Sequence, residues 1–265
     1  MKTVIILCLP RSGSSLLSGM LHRLGVRMGT NKGLVRGRHA NKYGNYENQD
    51  FLRLSFHILT YADSYSLSWA DTPDDEKVKK SVRAYRPDIK RLIKRHEAKV
   101  WGWKDPTLIY SLPYFEDLLT DPYYIVLKRN VESVAESHLH QAYISNWYIH
   151  LSYALQYLSL RVTLHIAWRL LKRFISKPNM FNDEQIYNQV IREGYKRIDE
   201  FVEGKKHICV EFSDLIEKPA RVINDIVKFL DIDPSARRRR SALSFIDHDE
   251  IHFRRSELRR QNSTS

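Results

Sequence analysis

The run Thr3 to Leu9, TVIILCL, is apolar at nearly every position and has the length of a strand buried on both faces. After PRSG the pattern changes: Leu16, Leu17, Met20, Leu21 and Leu24 fall on one helical stripe, and Gly25 ends it. A strand, a tight turn and a helix therefore open the chain. Residues 29–46 hold Gly29, Gly33, Gly37 and Gly44 with basic residues between them, which predicts a loop, either a lid or a plain surface connection.

Glu47 to Tyr61 and Asp75 to His96 read as helices, the second strongly basic. VWGWKDP is a short strand ended by Pro106, and Tyr123 to Lys128 is the next. Asn130 suits an N-cap and opens a long helical region that breaks near Lys177-Pro178. Ile144, Trp147, Tyr148, Leu151, Leu155 and Leu158 recur there at helical spacing, which predicts core, with the wall of an acceptor pocket as the other reading. A helix over Asp183 to Val202, the strand HICVEF and an amphipathic helix over Lys218 to Leu230 follow. Strands alternating with helices imply βαβ units and an α/β fold with a central parallel sheet flanked by helices on both faces. No repeat or linker divides the chain, so residues 1–265 read as one domain with a basic C-terminal segment from about 235.

The net charge of +12 adds an anionic ligand to this picture without choosing among phosphate, sulfate, nucleic acid and membrane. Cys8 and Cys209 each sit in a β-branched run and read as buried strand thiols in a reducing, cytoplasmic setting, not as a disulfide or a metal site. The N-terminal apolar run is too short for a signal-peptide core. Ser137 to Leu160 contains no Asp, Glu, Lys or Arg, but Gln, Asn, Ser and neutral His interrupt it, as in a buried helix and unlike a membrane span.

Two stretches carry chemistry. In PRSGSS, placed between strand and helix, Gly13 permits a tight turn, backbone N–H groups and the helix start favour an anion, and Ser12, Ser14 and Ser15 add hydroxyls. Arg11 brings a forked, permanently charged donor. The string is a phosphate or sulfate cradle or, on its own, only a Ser-rich cap; it lacks the Lys-Ser/Thr ending of a Walker A loop. In KRNVESVAES, Arg129 ends a strand and Ser137 lies two turns into the following helix, where both reach an anion beside the first cradle or Arg129 merely pairs with a helix.

Together the two stretches resemble the nucleotide-binding motifs of the sulfotransferases that use 3′-phosphoadenosine 5′-phosphosulfate (PAPS). PRSGSSLLSGML is similar to their 5′-phosphosulfate loop and RNVESVAES to their 3′-phosphate motif. The resemblance continues through GNYENQDFLRLSFHIL, GWKDPTLIYSLPYFEDL and ICVEFSDLIEKPARVINDIVKFLDI, in the order of bacterial-type members. It departs at Phe212-Ser213, where the family often has Tyr-Glu, and at Val131, where many members have Pro.

The resemblance implies a P-loop-like three-layer sandwich and transfer of a sulfonyl group from PAPS to an acceptor hydroxyl, leaving adenosine 3′,5′-bisphosphate and needing no metal. Arg11, Ser12, Gly13, Ser14 and Ser15 would hold the 5′ side, and Arg129 and Ser137 the 3′-phosphate. Glu47 is the first choice of base, with a helix-opening acid as its other role; Asp105, beside Lys104 in WKDP, is second, with a strand-end ion pair as its alternative. Lys104 and Arg11 complete the catalytic set, while His39 and His57 stand outside it. The acceptor is a glycan, lipid or small molecule, an anionic glycan among them, and no nucleic-acid partner is expected. A P-loop-type kinase and a non-enzymatic polyanion binder are the competing readings. The C-terminal segment would close over the nucleotide, bind the acceptor or remain a solvated basic tail.

Overall fold

The N-terminal apolar run forms β1 (Lys2–Cys8), followed along the chain by β2 (Val100–Lys104), β3 (Pro122–Lys128) and β4 (His207–Glu211). All pair in parallel, in the order β2-β1-β3-β4. The fold is that of a computed structural model, which describes residues 1–30, 33–35, 44–62, 72–139 and 184–246 and the single positions 155, 160, 163, 164, 167, 168, 171 and 175. Register aligns Ile6 with Lys104 and Cys8 with Leu127, so the carboxyl ends of β1, β2 and β3 finish at one edge of the sheet.

Alternation along β1 divides the core into two layers. Ile5 and Leu7 face α2 (Gln49–Tyr61), α3 (Asp75–His96), α4 (Leu108–Ser111), α5 (residues 131–139) and α6 (Glu184–Val202). Val4, Ile6 and Cys8 face α1 (Ser14–Leu24), α7 (Phe212–Glu217), α8 (Pro219–Leu230) and α9 (residues 236–246). The expected three-layer sandwich with a central parallel sheet is thus present. In the first layer Phe51 stacks on Trp103 with centroids 3.9 Å apart and planes 19° apart. Removing each such side chain from water contributes about 1.5–3 kcal/mol, which makes this layer a firm floor for β2.

The connection leaving β1 leads to β2 on one side, and the one leaving β3 leads to β4 on the other. Adjacent strands whose connections diverge open a crevice beyond their carboxyl ends. The turn after β1 and Arg129 after β3 both border it.

Several expectations change. Helix α2 starts at Gln49, because the Asn48 side chain accepts the Asp50 N–H at 2.9 Å and caps it; Glu47 therefore precedes the helix and does not open it. Cys8 is buried but Cys209 is exposed, since β4 lies at the end of the strand order and only Val210 of that strand is buried. Of the apolar series from Ile144 to Leu158 only Leu155 is described, and it is exposed rather than core. The loop over 29–46 is tied at its ends, with the Val35 N–H donating to the Glu47 carbonyl at 2.8 Å and the Asn45 N–H to the Val35 carbonyl at 3.3 Å. Its middle, where a lid or a plain surface connection was expected, lies outside the described residues, as do the break at Lys177-Pro178 and the tail from 247. The first part of the basic C-terminal segment is a packed helix, with Ala242, Phe245 and Ile246 buried. Among the described residues no helix is long and apolar enough to cross a membrane.

Candidate active site

The loop from Pro10 to Gly13 turns through two left-handed residues, Arg11 (φ 64) and Gly13 (φ 89). At Gly13 a Cβ would come within 2.3 Å of the Phe212 ring, so close packing as well as conformation calls for glycine. Helix α1 then begins with no side-chain cap, which leaves the N–H groups of Ser14 and Ser15 without acceptors inside the helix. The serines divide in role. Ser12 is fully buried and its hydroxyl donates to the Leu9 carbonyl at 2.6 Å, so it braces the loop and is not one of the free hydroxyls expected there. Ser14 is buried and bonds the Cys8 thiol, whereas Ser15 keeps partial exposure.

Arg11, Arg129 and Ser137 come together. Arg11 Nε donates to the Ser137 hydroxyl at 3.1 Å, and Arg129 Nη1 donates to the Arg11 carbonyl at 2.9 Å. Asn130 caps α5 as expected, accepting the Ser133 N–H at 2.9 Å, so Val131 in place of Pro leaves the helix start intact. Phe212 is in place too: its ring carries the Arg129 guanidinium, 4.9 Å from the ring centre.

Two further residues stand here that no motif of the sequence marks. The Tyr195 hydroxyl accepts the Arg129 N–H at 3.0 Å and donates to the Arg129 carbonyl at 3.1 Å, locking the backbone at the end of β3; burial pushes this phenol up to about 12. His138, one residue past Ser137, is 7% exposed, stacks on Tyr187 with planes 10° apart and bonds the Pro10 carbonyl. Burial first, and the charge of Arg11 second, lower its pKa to about 3, so the ring is neutral. Its one legible hint is its position directly after Ser137.

A second group stands at the end of β2. Lys104 is 4% exposed and donates to Glu47 Oε1 at 2.5 Å and to the Asn45 carbonyl at 3.4 Å. Burial raises the Glu47 pKa and Lys104 opposes it, with burial the larger influence. Asp105 does not pair with Lys104. Its Oδ1 accepts from the Thr107 N–H at 2.8 Å and the Thr107 hydroxyl at 2.7 Å, while the buried Oδ2 has no partner among the described residues. Cys8 joins the two groups: burial pushes its thiol up to about 11, and it feels Lys104, Ser14, Glu47 and Asp105 in turn. His57 stacks on Tyr85 in α3, apart from these residues, and His39 lies outside the described ones.

An anion cradle and a Lys–Glu pair with a buried lysine at adjoining strand ends suit group transfer between a polyanionic donor and a nucleophile. A family model described as the sulfotransferase family matches residues 3–236. The chain belongs to the sulfotransferase family. Among solved structures, this sulfotransferase is similar to sulfotransferase STF1 from Mycobacterium tuberculosis H37Rv, at 15% identity and TM-score 0.54, over 91% of this chain and 70% of that one. The sulfotransferase from Alicyclobacillus acidocaldarius is 14% identical at TM-score 0.45, over 94% of this chain and 92% of that one. The sulfotransferase domain from the curacin biosynthetic pathway is 18% identical at TM-score 0.46, over 89% and 75%. No curated protein matches by sequence search. The STF1 likeness supports the P-loop-like α/β fold.

Proposed function

We propose that this sulfotransferase takes its sulfonyl group from PAPS and places it on an acceptor hydroxyl. The observation that carries the reading is the contact between Arg11 and Ser137, 126 residues apart, which merges the 5′-type loop and the 3′-type motif into one cradle. The residues fit this donor: an uncapped helix start, a loop with two left-handed residues and two guanidiniums match a ligand with phosphate at both ends. Arg11, Gly13, Ser14 and Ser15, with Ser12 acting through its backbone, hold the 5′ side. Arg129 and Ser137 hold the 3′-phosphate.

When bound, the donor supplies an activated sulfonyl group: the acceptor oxygen bonds to sulfur, the bond from sulfur to the 5′-phosphate oxygen breaks, and adenosine 3′,5′-bisphosphate remains. Glu47 takes the acceptor proton. Burial makes this carboxylate a stronger base than an exposed one, and Lys104 fixes where it points. Arg11 and the first N–H groups of α1 face the charge that grows on the leaving phosphate. Asp105 holds the turn after β2 and is the second candidate for the base. The acceptor is a hydroxyl-bearing glycan, lipid or small molecule, and the net charge of +12 favours an anionic glycan. Two free thiols support a reducing, cytoplasmic location.

The test compares thermal stabilisation by adenosine 3′,5′-bisphosphate with that by ATP, followed by incubation of labelled PAPS with a panel of hydroxyl acceptors. A larger shift with the bisphosphate and label transfer to one acceptor class are expected. Equal shifts, or a shift with ATP alone, would overturn the donor assignment.

A further inference from the structure

Tyr46, next to Glu47, holds a left-handed backbone (φ 53) that side chains other than glycine seldom adopt. Its surroundings keep it there. The phenol oxygen accepts from Arg23 Nη1 at 2.8 Å, and the same nitrogen donates to the Gly19 carbonyl at 3.0 Å. The Arg23 guanidinium lies 3.7 Å from the centre of the Phe245 ring, and that ring meets the Tyr46 ring edge to face, with centroids 5.9 Å apart. Gly19 makes room, because a Cβ there would come within 2.3 Å of Phe245 and 2.8 Å of Tyr46. A helical glycine, an arginine and a phenylalanine of the C-terminal helix thus close on one strained residue.

What the strain aims is visible on either side of Tyr46. The preceding carbonyl, of Asn45, accepts from Lys104 Nζ at 3.4 Å, and the following side chain, of Glu47, accepts from the same nitrogen at 2.5 Å. Relaxing Tyr46 to a negative φ would rotate these flanking groups relative to each other and part at least one from Lys104.

We propose that Arg23, Gly19 and Phe245 clamp Tyr46 so that its left-handed backbone positions Glu47 against Lys104, making Tyr46 a positioning residue controlled by the C-terminal helix. This rests on the reading of Glu47 as the base. It also gives part of the C-terminal segment a role toward the acceptor side of the site, distinct from closing over the nucleotide.

A double-mutant cycle tests it in the full chain, with turnover and binding of adenosine 3′,5′-bisphosphate read separately. Tyr46→Phe keeps the ring but removes the bond to Arg23; turnover should fall about tenfold with unchanged bisphosphate affinity. Phe245→Leu should act in the same direction, and bisphosphate-dependent thermal stabilisation reports that each variant is folded. On a Glu47→Gln background, Tyr46→Phe should cost nothing further, because it acts through that carboxylate. If Glu47→Gln is impaired but the two effects multiply, if both Tyr46→Phe and Phe245→Leu keep wild-type turnover, or if nucleotide affinity falls in step with rate, the clamp assignment is wrong. If Glu47→Gln itself keeps wild-type turnover, the base assignment fails and this inference with it.

Discussion

Arg129 donates to the main-chain carbonyl of Arg11 at 2.9 Å, so the arginine that follows β3 also holds the loop that follows β1. Beside the proposed contact with the 3′-phosphate, Arg129 thus has a bracing role, and the two separate experimentally. Arg129→Ala should weaken adenosine 3′,5′-bisphosphate binding by about 1.5–3 kcal/mol, the worth of a charge-assisted contact. Binding of adenosine 5′-phosphosulfate, which lacks the 3′-phosphate, should weaken by less, through the loop alone. Calorimetric titration with both ligands decides: equal losses would make Arg129 a brace and remove it from the 3′-phosphate site.

Tyr195 tests the brace from behind. Its hydroxyl serves both the N–H and the carbonyl of Arg129, and Tyr195→Phe leaves a half-buried backbone pair short of a partner at a cost of about 0.5–1.5 kcal/mol. Urea unfolding should show that loss with the m-value unchanged. Bisphosphate affinity should fall less than in Arg129→Ala, because the guanidinium itself remains.

Much of this site was readable because short-range patterns dictate it. The run from Thr3 to Leu9 has one stable environment, the middle of a parallel sheet, and Gly13 has one reason to interrupt the change to a helical stripe. The partners that arrive from far along the chain were not readable. His138 and Tyr195 sit on helices whose periodicity shows only that one face is apolar; nothing in it says that a hydroxyl meets Arg129. The helix reads from Glu47 in the sequence because Asn48 and Asp50 near it are equally good starters, but in the structure the extended backbone of the cap belongs to Asn48. Phe245 looked like part of a basic tail since four arginines precede it, yet burial of its ring is decided by Arg23 and Gly19 more than 200 residues away.

His138 makes the stability of the protein depend on acidity in a defined direction. Its folded pKa of about 3 lies below the unfolded value of 6.5, so the folded state binds fewer protons between these limits. Its contribution is therefore fully present above about pH 6.5 and is lost as pH falls toward 3. His138→Gln should flatten that part of the stability-versus-pH curve while retaining an amide donor for the Pro10 carbonyl. Denaturant midpoints at pH 7 and pH 5 provide the comparison. An unchanged slope in the variant would show that the imidazole is not the group responsible.

Glu47 and Asp105 can be told apart because the structure gives them different partners. Glu47→Gln removes the proton acceptor but preserves shape, so turnover should fall by about 10²–10⁴ while bisphosphate affinity stays nearly constant. It should also remove a pH-dependent instability. Burial raises the Glu47 pKa above its unfolded value, so this group lowers stability as pH climbs from the ordinary carboxylate range through the raised value. For Asp105 the substitutions are Asn and Ala. Asp105→Asn retains an oxygen for the Thr107 N–H and hydroxyl, which bond Oδ1, and changes only the partnerless Oδ2 side. If Asp105 serves as a turn brace, the Asn variant keeps wild-type turnover and the Ala variant loses about 1–3 kcal/mol of stability without a separate loss of rate. Should Asp105→Asn instead abolish turnover while Glu47→Gln does not, Oδ2 is the proton acceptor and the Lys104–Glu47 pair is only structural.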